Sequence, residues 1–91
     1  MVKKEVLYFT ADWCGPCQKI KPVFHELKEA HPNIKFSMID VDKEENADLA
    51  TKHKVEGIPA FFFLVDSVVQ HKFVGAEAKR LRENVEVLNN L

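Results

Sequence analysis

Two cysteines, Cys14 and Cys17, stand close together near the start of the chain with Gly15 and Pro16 between them, and the sequence has no other cysteine. Two cysteines are too few for the disulfide framework of a small secreted protein, and a close pair indicates redox or metal chemistry instead. In redox chemistry one thiolate attacks a disulfide of another molecule, and the second thiol then attacks the mixed disulfide and releases the reduced product. The residues around the pair decide between the two kinds of chemistry.

Zinc binding and a purely structural disulfide are the alternatives to a redox pair. A structural zinc site requires about four ligands. This chain offers one Cys-x-x-Cys segment and four scattered histidines with no pair at ligand spacing, His25, His31, His53 and His71. A structural disulfide is also disfavoured, because closing so short a loop removes little entropy from the unfolded chain. The residue types therefore favour a redox-active pair.

The elements around the cysteines predict a strand that leads directly into a helix. Residues 5–10 form a short β-rich apolar run, which is typical of a strand covered on both faces. We expect the following helix to begin near Cys14, to be kinked at Pro22 and to end around Ala30. Its apolar side chains repeat at helical spacing, at Ile20, Val23, Phe24 and Leu27.

The start of this helix is the reason to expect reactive cysteines. Unpaired amide hydrogens and the positive end of the helix dipole stabilise an anion there, so Cys14 should ionise readily and act as the exposed nucleophile. Cys17 lies one turn further into the helix. We therefore expect Cys17 to be the buried thiol that resolves the mixed disulfide.

The second predicted strand covers residues 34–40. Phe36 and Met38 alternate with Lys35 and Ser37, which predicts that one face of this strand is less buried than the other. An edge position in the sheet explains such a pattern.

The rest of the chain continues the alternation of helices and strands. A short helix with Asn46 as its N-cap should run to about His53, and a Gly-Ile-Pro segment then leads into a buried strand. Asp66 and Ser67 make a tight connection, so the next strand must be antiparallel to that one. These strands are predicted at 60–65 and 68–74, the second ended by Gly75, and the last helix has an apolar stripe at Ala78, Leu81, Val85 and Leu88. The predicted fold is α/β, in the order β-α-β-α-β-β-α.

Composition and charge set the broad class of the protein. The chain has 91 residues, 46% of them hydrophobic, which suits a single globular domain over residues 1–91. The net charge is −1, with basic and acidic residues interspersed, so nothing favours nucleic acid or an anionic membrane as a partner. The first apolar stretch is too short for a signal peptide or a membrane span, and we expect a cytoplasmic protein that is a monomer.

Three segments resemble the thioredoxin family: Trp13-Cys14-Gly15-Pro16-Cys17, Gly57-Ile58-Pro59 and Val74-Gly75-Ala76. The resemblance spans nearly the whole chain and implies a thioredoxin-like fold with a four-stranded mixed sheet flanked by helices. It implies a reductase of protein disulfides that binds no cofactor itself. Reducing equivalents would come from NADPH through a thioredoxin reductase, and the other partners would be disulfide-containing target proteins.

The resemblance also implies a substrate-binding surface around the cysteines. The peptide bond between Ile58 and Pro59 should be cis, and its backbone should pair with an extended segment of the substrate. Asp42 is similar to the acid that, in the family, can accept a hydrogen bond from the active-site Trp, which is Trp13 in this sequence. The substrate-binding residues implied in this way are Trp13, Gly15, Pro16, Ile58, Pro59, Val74, Gly75 and Ala76.

The sequence departs from the family pattern in three places. By the resemblance, the chain is expected to be a shortened form without the additional strand and helix that typically precede the first strand found here. Tyr8 occupies the position where many members carry a buried Asp, which is thought to take the proton of the resolving cysteine. Met38 stands where many members have a Lys close to that Asp, so the buried charged pair is missing as a unit.

Two other functions remain open on the same fold. One is a thiol oxidase or isomerase, and the other is a binding module without catalysis. Gly15 and Pro16 favour a reductant, because oxidising relatives carry His next to the second cysteine. The presence of both cysteines disfavours the binding module.

Overall fold

The computed structural model describes residues 2–91. The element order confirms the predicted one. A short 3₁₀ turn, Glu44–Asn46, precedes the second helix. The elements are β1 (Lys4–Thr10), α1 (Gly15–Ala30), β2 (Lys35–Asp40), α2 (Ala47–Lys52), β3 (Ala60–Val65), β4 (Val68–Val74) and α3 (Ala78–Asn89).

The four strands form one mixed sheet in the order β2-β1-β3-β4. β1 pairs in parallel with β2 and antiparallel with β3, and β3 pairs antiparallel with β4. The β3–β4 connection turns at Asp66 and Ser67, whose φ angles are 49° and 68°. Two consecutive residues with positive φ give the tight hairpin that the short connection predicts. The edge position of β2 is confirmed.

Each face of the sheet carries its own apolar layer, because side chains alternate along each strand. On one face, Tyr8 and Phe61 of the central strands pack with Phe24 of α1 and Leu81 of α3. On the other face, Phe9 and Phe62 pack beneath α2 and the segments that flank it. Strand β3 is buried almost throughout, as predicted, because it lies between β1 and β4 and has helices on both sides.

Two local predictions are wrong. Met38 and Phe36 lie on the same face of β2, but Met38 is 45% exposed whereas Phe36 is buried. The reason is that Phe24 of α1 covers Phe36, whereas Met38 lines an open depression beside the start of α1. Asn46 makes no side-chain cap of α2. The 3₁₀ turn already gives Asn46 a helical backbone, and its side-chain amide instead donates to the carbonyl of Asp40 at 2.9 Å.

Candidate active site

The two cysteines are joined by a disulfide at the start of α1, shortly after the end of β1. Their Cα atoms are 5.2 Å apart. Cys14 is the N-cap residue of α1 in extended conformation, and its sulfur accepts a hydrogen bond from the backbone N–H of Cys17 at 3.2 Å. The predicted position at the helix start is confirmed, and it supplies an amide donor aimed at the Cys14 sulfur.

Burial of the pair follows the predicted order. Cys17 is fully buried and Cys14 keeps 5% of its surface exposed. Both cysteines pack against Ala11, with Val41 and Ile58 beside them. Cys14 is less open than expected for a nucleophile, because in the disulfide its sulfur is turned towards Cys17 in this apolar cluster. The small exposed part of Cys14 adjoins a groove that Cys14 helps to line.

A groove of about 540 Å³ opens at Cys14. Four of the predicted substrate-binding residues line it, namely Trp13, Gly15, Pro16 and Ile58. Sequence reasoning missed five more lining residues, Val41, Ala50, Val55, Glu56 and Gly57. Most of these come from α2 and the segment after it, and the only signal for them in the sequence is their nearness to the Gly-Ile-Pro segment.

The predicted cis peptide bond between Ile58 and Pro59 is confirmed. Pro59 is buried, and its carbonyl accepts a hydrogen bond from the N–H of Gly75 at 2.8 Å. Gly75 has a φ of 127°, a conformation that residues with a side chain rarely adopt. Within residues 2–91, neither backbone group of Ile58 has a hydrogen-bond partner. The free backbone groups at this turn are thus those of Ile58, whereas the carbonyl of Pro59 is already bonded.

Three other predicted substrate-binding residues, Val74, Gly75 and Ala76, do not line this groove. Val74 is exposed and lines a neighbouring depression with Val55 and Glu56. A Cβ atom on Gly57 would meet the Val74 side chain at 3.2 Å, so the two segments approach closely. Ala76 is exposed and lines neither depression. Substrate contacts by Val74, Gly75 and Ala76 stay a prediction.

Trp13 is held in place by the acid that the family resemblance implied. Its indole Nε1–H donates to a carboxylate oxygen of Asp42 at 2.7 Å. The ring is 70% exposed, which is unusual for a large aromatic side chain. The hydrogen bond fixes this apolar surface at the rim of the groove.

Tyr8 lies beneath the cysteine pair, as its place in the sequence predicts. The side chain is fully buried and its hydroxyl donates to the carbonyl of Cys17 at 2.5 Å. Burial raises the pKa of Tyr8 above its ordinary value of 10.0, and the hydroxyl of Thr10 acts in the opposite direction. Tyr8 and Met38 face each other in the β1–β2 register, so an aromatic and a thioether occupy the place of a charged pair.

Residues 2–91 also bear on metal binding and on membrane insertion. No group of three or more His, Cys, Asp or Glu side chains in this part of the chain is arranged to hold a metal ion. None of its helices is long and apolar enough to cross a membrane.

The disulfide on this fold places the chain among the thiol–disulfide oxidoreductases. Residues 2–87 match the model of the thioredoxin family. The chain is 40% identical to a thioredoxin of Ophiophagus hannah over 81 residues, which are 89% of this chain and 75% of that protein. An H-type thioredoxin of Picea mariana is 45% identical over 80 residues, 88% of this chain and 62% of the relative. The chain thus spans less than two thirds of the Picea protein.

Solved structures agree with the sequence relatives. A poplar thioredoxin h superposes with a TM-score of 0.89 at 36% identity, covering 98% of this chain and 78% of that one. The thioredoxin of Fasciola hepatica gives a TM-score of 0.86 at 36% identity, covering 94% and 81%. The chain belongs to the thioredoxin family and has the thioredoxin-like fold.

Proposed function

We propose that this chain reduces protein disulfides through the dithiol of Cys14 and Cys17. The observation that carries the proposal is the hydrogen bond from the Cys17 N–H to the Cys14 sulfur at the N-cap of α1. In the reduced protein, the same amide and the helix start stabilise a thiolate on Cys14. The apolar groove at Cys14 then gives a target disulfide access to that thiolate.

The proposed reaction has two steps that exchange sulfur bonds. The Cys14 thiolate attacks one sulfur of the target disulfide, so that a Cys14–target bond forms while the target's own S–S bond breaks. The released target sulfur takes up a proton. The Cys17 thiol then loses its proton and attacks the Cys14 sulfur, which forms the Cys14–Cys17 disulfide and releases the second target thiol. Two electrons pass from the dithiol to the target.

Ile58 is proposed to position the target during this exchange. Its unpartnered backbone N–H and carbonyl lie beside the cysteine pair, and an extended peptide satisfies such groups as a strand does. Trp13, Gly15 and Pro16 line the groove and complete the proposed binding surface. The proposal also includes Pro59, which holds the turn beside Ile58, and Val74, Gly75 and Ala76, of which Gly75 bonds to the Pro59 carbonyl.

A second reductant must return the disulfide to the dithiol after each turnover. We assign this role to a thioredoxin reductase that carries electrons from NADPH, and the thioredoxin names of the relatives support the assignment. The proposal includes a single domain acting as a monomer, with no cofactor of its own. It also includes the cytoplasm as its compartment, because glutathione and thioredoxin systems keep thiols reduced there.

Reduction of insulin disulfides with dithiothreitol as electron donor tests the proposal. The wild-type chain should accelerate insulin reduction well above the rate of dithiothreitol alone, and Cys14→Ser and Cys17→Ser should each abolish the acceleration. A thiol oxidase or isomerase would instead form disulfides in a reduced model protein faster than it reduces insulin. A binding module would leave both reactions at the background rate.

A further inference from the structure

The groove at Cys14 has one charged side chain, Glu56, among the lining residues that the structure describes. The other lining residues are apolar or glycine, apart from Cys14 itself. Glu56 is exposed, and its carboxylate forms no ion pair within residues 2–91. A free carboxylate on an apolar wall is therefore available to whatever segment occupies the groove.

The position of Glu56 relates it directly to the proposed binding mode. It stands two residues before Ile58, whose free backbone groups are proposed to pair with an extended target segment. Side chains directly opposite each other in paired strands lie about 5 Å apart, and diagonal neighbours about 7 to 8 Å. A long side chain of the target, within one or two residues of its attacked cysteine, reaches the carboxylate from such a strand.

A second acid contributes negative charge to the same rim. Asp42 accepts the hydrogen bond of the Trp13 indole, and Trp13 lines the groove. The lysines that share a depression with Glu56, Lys54 and Lys72, lie on its other side, outside the groove, and neither forms an ion pair with Glu56. The two charged side chains placed at this rim, Glu56 and Asp42, are therefore both acidic.

We propose that Glu56 makes the protein prefer disulfides flanked by Lys or Arg over disulfides flanked by acidic residues. The inference rests on the proposed disulfide reductase function and adds the class of target segment. A cation of the target pairs with Glu56 in the encounter with Cys14, whereas an acidic side chain is repelled by Glu56 and by Asp42. Glu56 thus acts on target choice and takes no part in the bond exchange.

Two synthetic peptides with one internal disulfide each test the proposal. They differ only in the two residues that flank one cysteine, which are Lys in the first peptide and Glu in the second. The second-order rate constant for reduction by the reduced protein is measured for both at low ionic strength. We expect the Lys peptide to react about two- to fivefold faster, the range that an exposed ion pair supports. Added salt should flatten the difference, because it screens exposed charges.

Three variants separate the effect of Glu56 from the effect of the protein's overall charge. Glu56→Gln should bring the two rate constants together, and Glu56→Lys should reverse their order. Glu86→Lys is the matched control, since Glu86 is exposed on α3 and this variant has the same net charge as Glu56→Lys. The control should keep the wild-type preference.

Each result decides the inference. Equal rates for both peptides with the wild-type protein, or an unchanged preference in Glu56→Lys, would overturn the role of Glu56 while the reductase function stands. Loss of the preference in Glu86→Lys as well would show a net-charge effect and would also overturn it. If neither peptide is reduced, the proposed function itself is wrong and the inference falls with it.

Discussion

Tyr8 sets the proton chemistry beneath the cysteine pair. Its hydroxyl donates to the Cys17 carbonyl, and burial keeps the pKa of the phenol above 10.0, so Tyr8 is neutral throughout the physiological range. A neutral phenol does not take the proton of Cys17 as a carboxylate does. In the proposed reaction, resolution of the mixed disulfide then uses water or the departing thiolate as base, and its rate should rise with pH through the alkaline range.

Replacing Tyr8 tests this reading with two opposite effects. Tyr8→Asp should accelerate release of a chromophoric mixed disulfide from Cys14 near neutral pH, because a carboxylate becomes available to take the Cys17 proton. The same change should lower the urea midpoint, because the ring packs against Phe24 and Phe61 at centroid distances of 4.8 and 4.9 Å. Loss of a buried aromatic ring typically costs about 3 to 5 kcal/mol, and a buried unpaired acid adds to the cost.

Tyr8→Phe is the matched control because it keeps the ring and removes only the hydroxyl. The loss of one hydrogen bond should lower the free energy of unfolding by about 0.5 to 1.5 kcal/mol. The release rate should be unchanged. Single-turnover release measures the kinetics and urea unfolding measures the stability. Unchanged release in a folded Tyr8→Asp variant would mean that no carboxylate role is missing at this position.

Helix α3 illustrates how helical periodicity predicts packing. The predicted stripe of Leu81, Val85 and Leu88 is buried in the structure, against the same sheet face as α1. Leu81→Ala should lower the free energy of unfolding by about 2 to 5 kcal/mol, because it leaves a cavity in this layer. Urea unfolding measures the change.

Val87 provides the comparison on the same helix. Leu81 has no exposed surface, whereas Val87 is 61% exposed. Val87→Ala should therefore change the free energy of unfolding by no more than about 0.5 kcal/mol. Similar losses in the two variants would contradict the packing of α3 described here.

Elements were predictable where a local pattern determines them, and the site only in part. The apolar runs of β1 and β3 and the helical spacing in α1 depend on residues that are neighbours in sequence, so their positions followed from the sequence. The exposure of Met38 depends on which part of β2 is covered by α1. The sequence pattern of β2 alone does not contain that information. The groove wall at Val41, Ala50 and Val55 likewise forms only when the end of β2, α2 and the segment between α2 and β3 pack together.

One histidine, His53, links pH to the stability of the fold. His53 ends α2 and packs its ring against Phe9 and Phe62, with centroid distances of 5.8 and 4.9 Å. Partial burial lowers the pKa of His53 below its ordinary value of 6.5, and the charge of Lys52 lowers it further. The folded protein therefore binds a proton on His53 less readily than the unfolded chain does.

The sign of the pH effect follows from that difference. Above the unfolded pKa near 6.5, His53 is neutral in both states and its contribution is complete. As the pH falls below 6.5 towards the folded pKa, the unfolded chain takes up the proton first, so the free energy of unfolding decreases. Urea unfolding at pH 7.5 and 5.5 should show this loss in the wild type, and His53→Gln should reduce it. His25→Gln, on the exposed side of α1, should keep the wild-type dependence.

An unchanged pH dependence in His53→Gln would assign the acid sensitivity to other groups. A gain of stability on acidification in the wild type, removed by the same variant, would reverse the sign derived from the burial of His53.

The division of roles between the two cysteines is most directly tested by trapping the mixed disulfide. Reduced Cys17→Ser protein is mixed with insulin, and the covalent products are digested and examined by mass spectrometry. Cys14 is at the helix start and lines the groove, so we expect a stable adduct in which an insulin cysteine is joined to Cys14. Cys14→Ser should give little adduct, because Cys17 is fully buried. An adduct through Cys17 that forms as fast in Cys14→Ser would contradict the assignment of Cys14 as the attacking thiol.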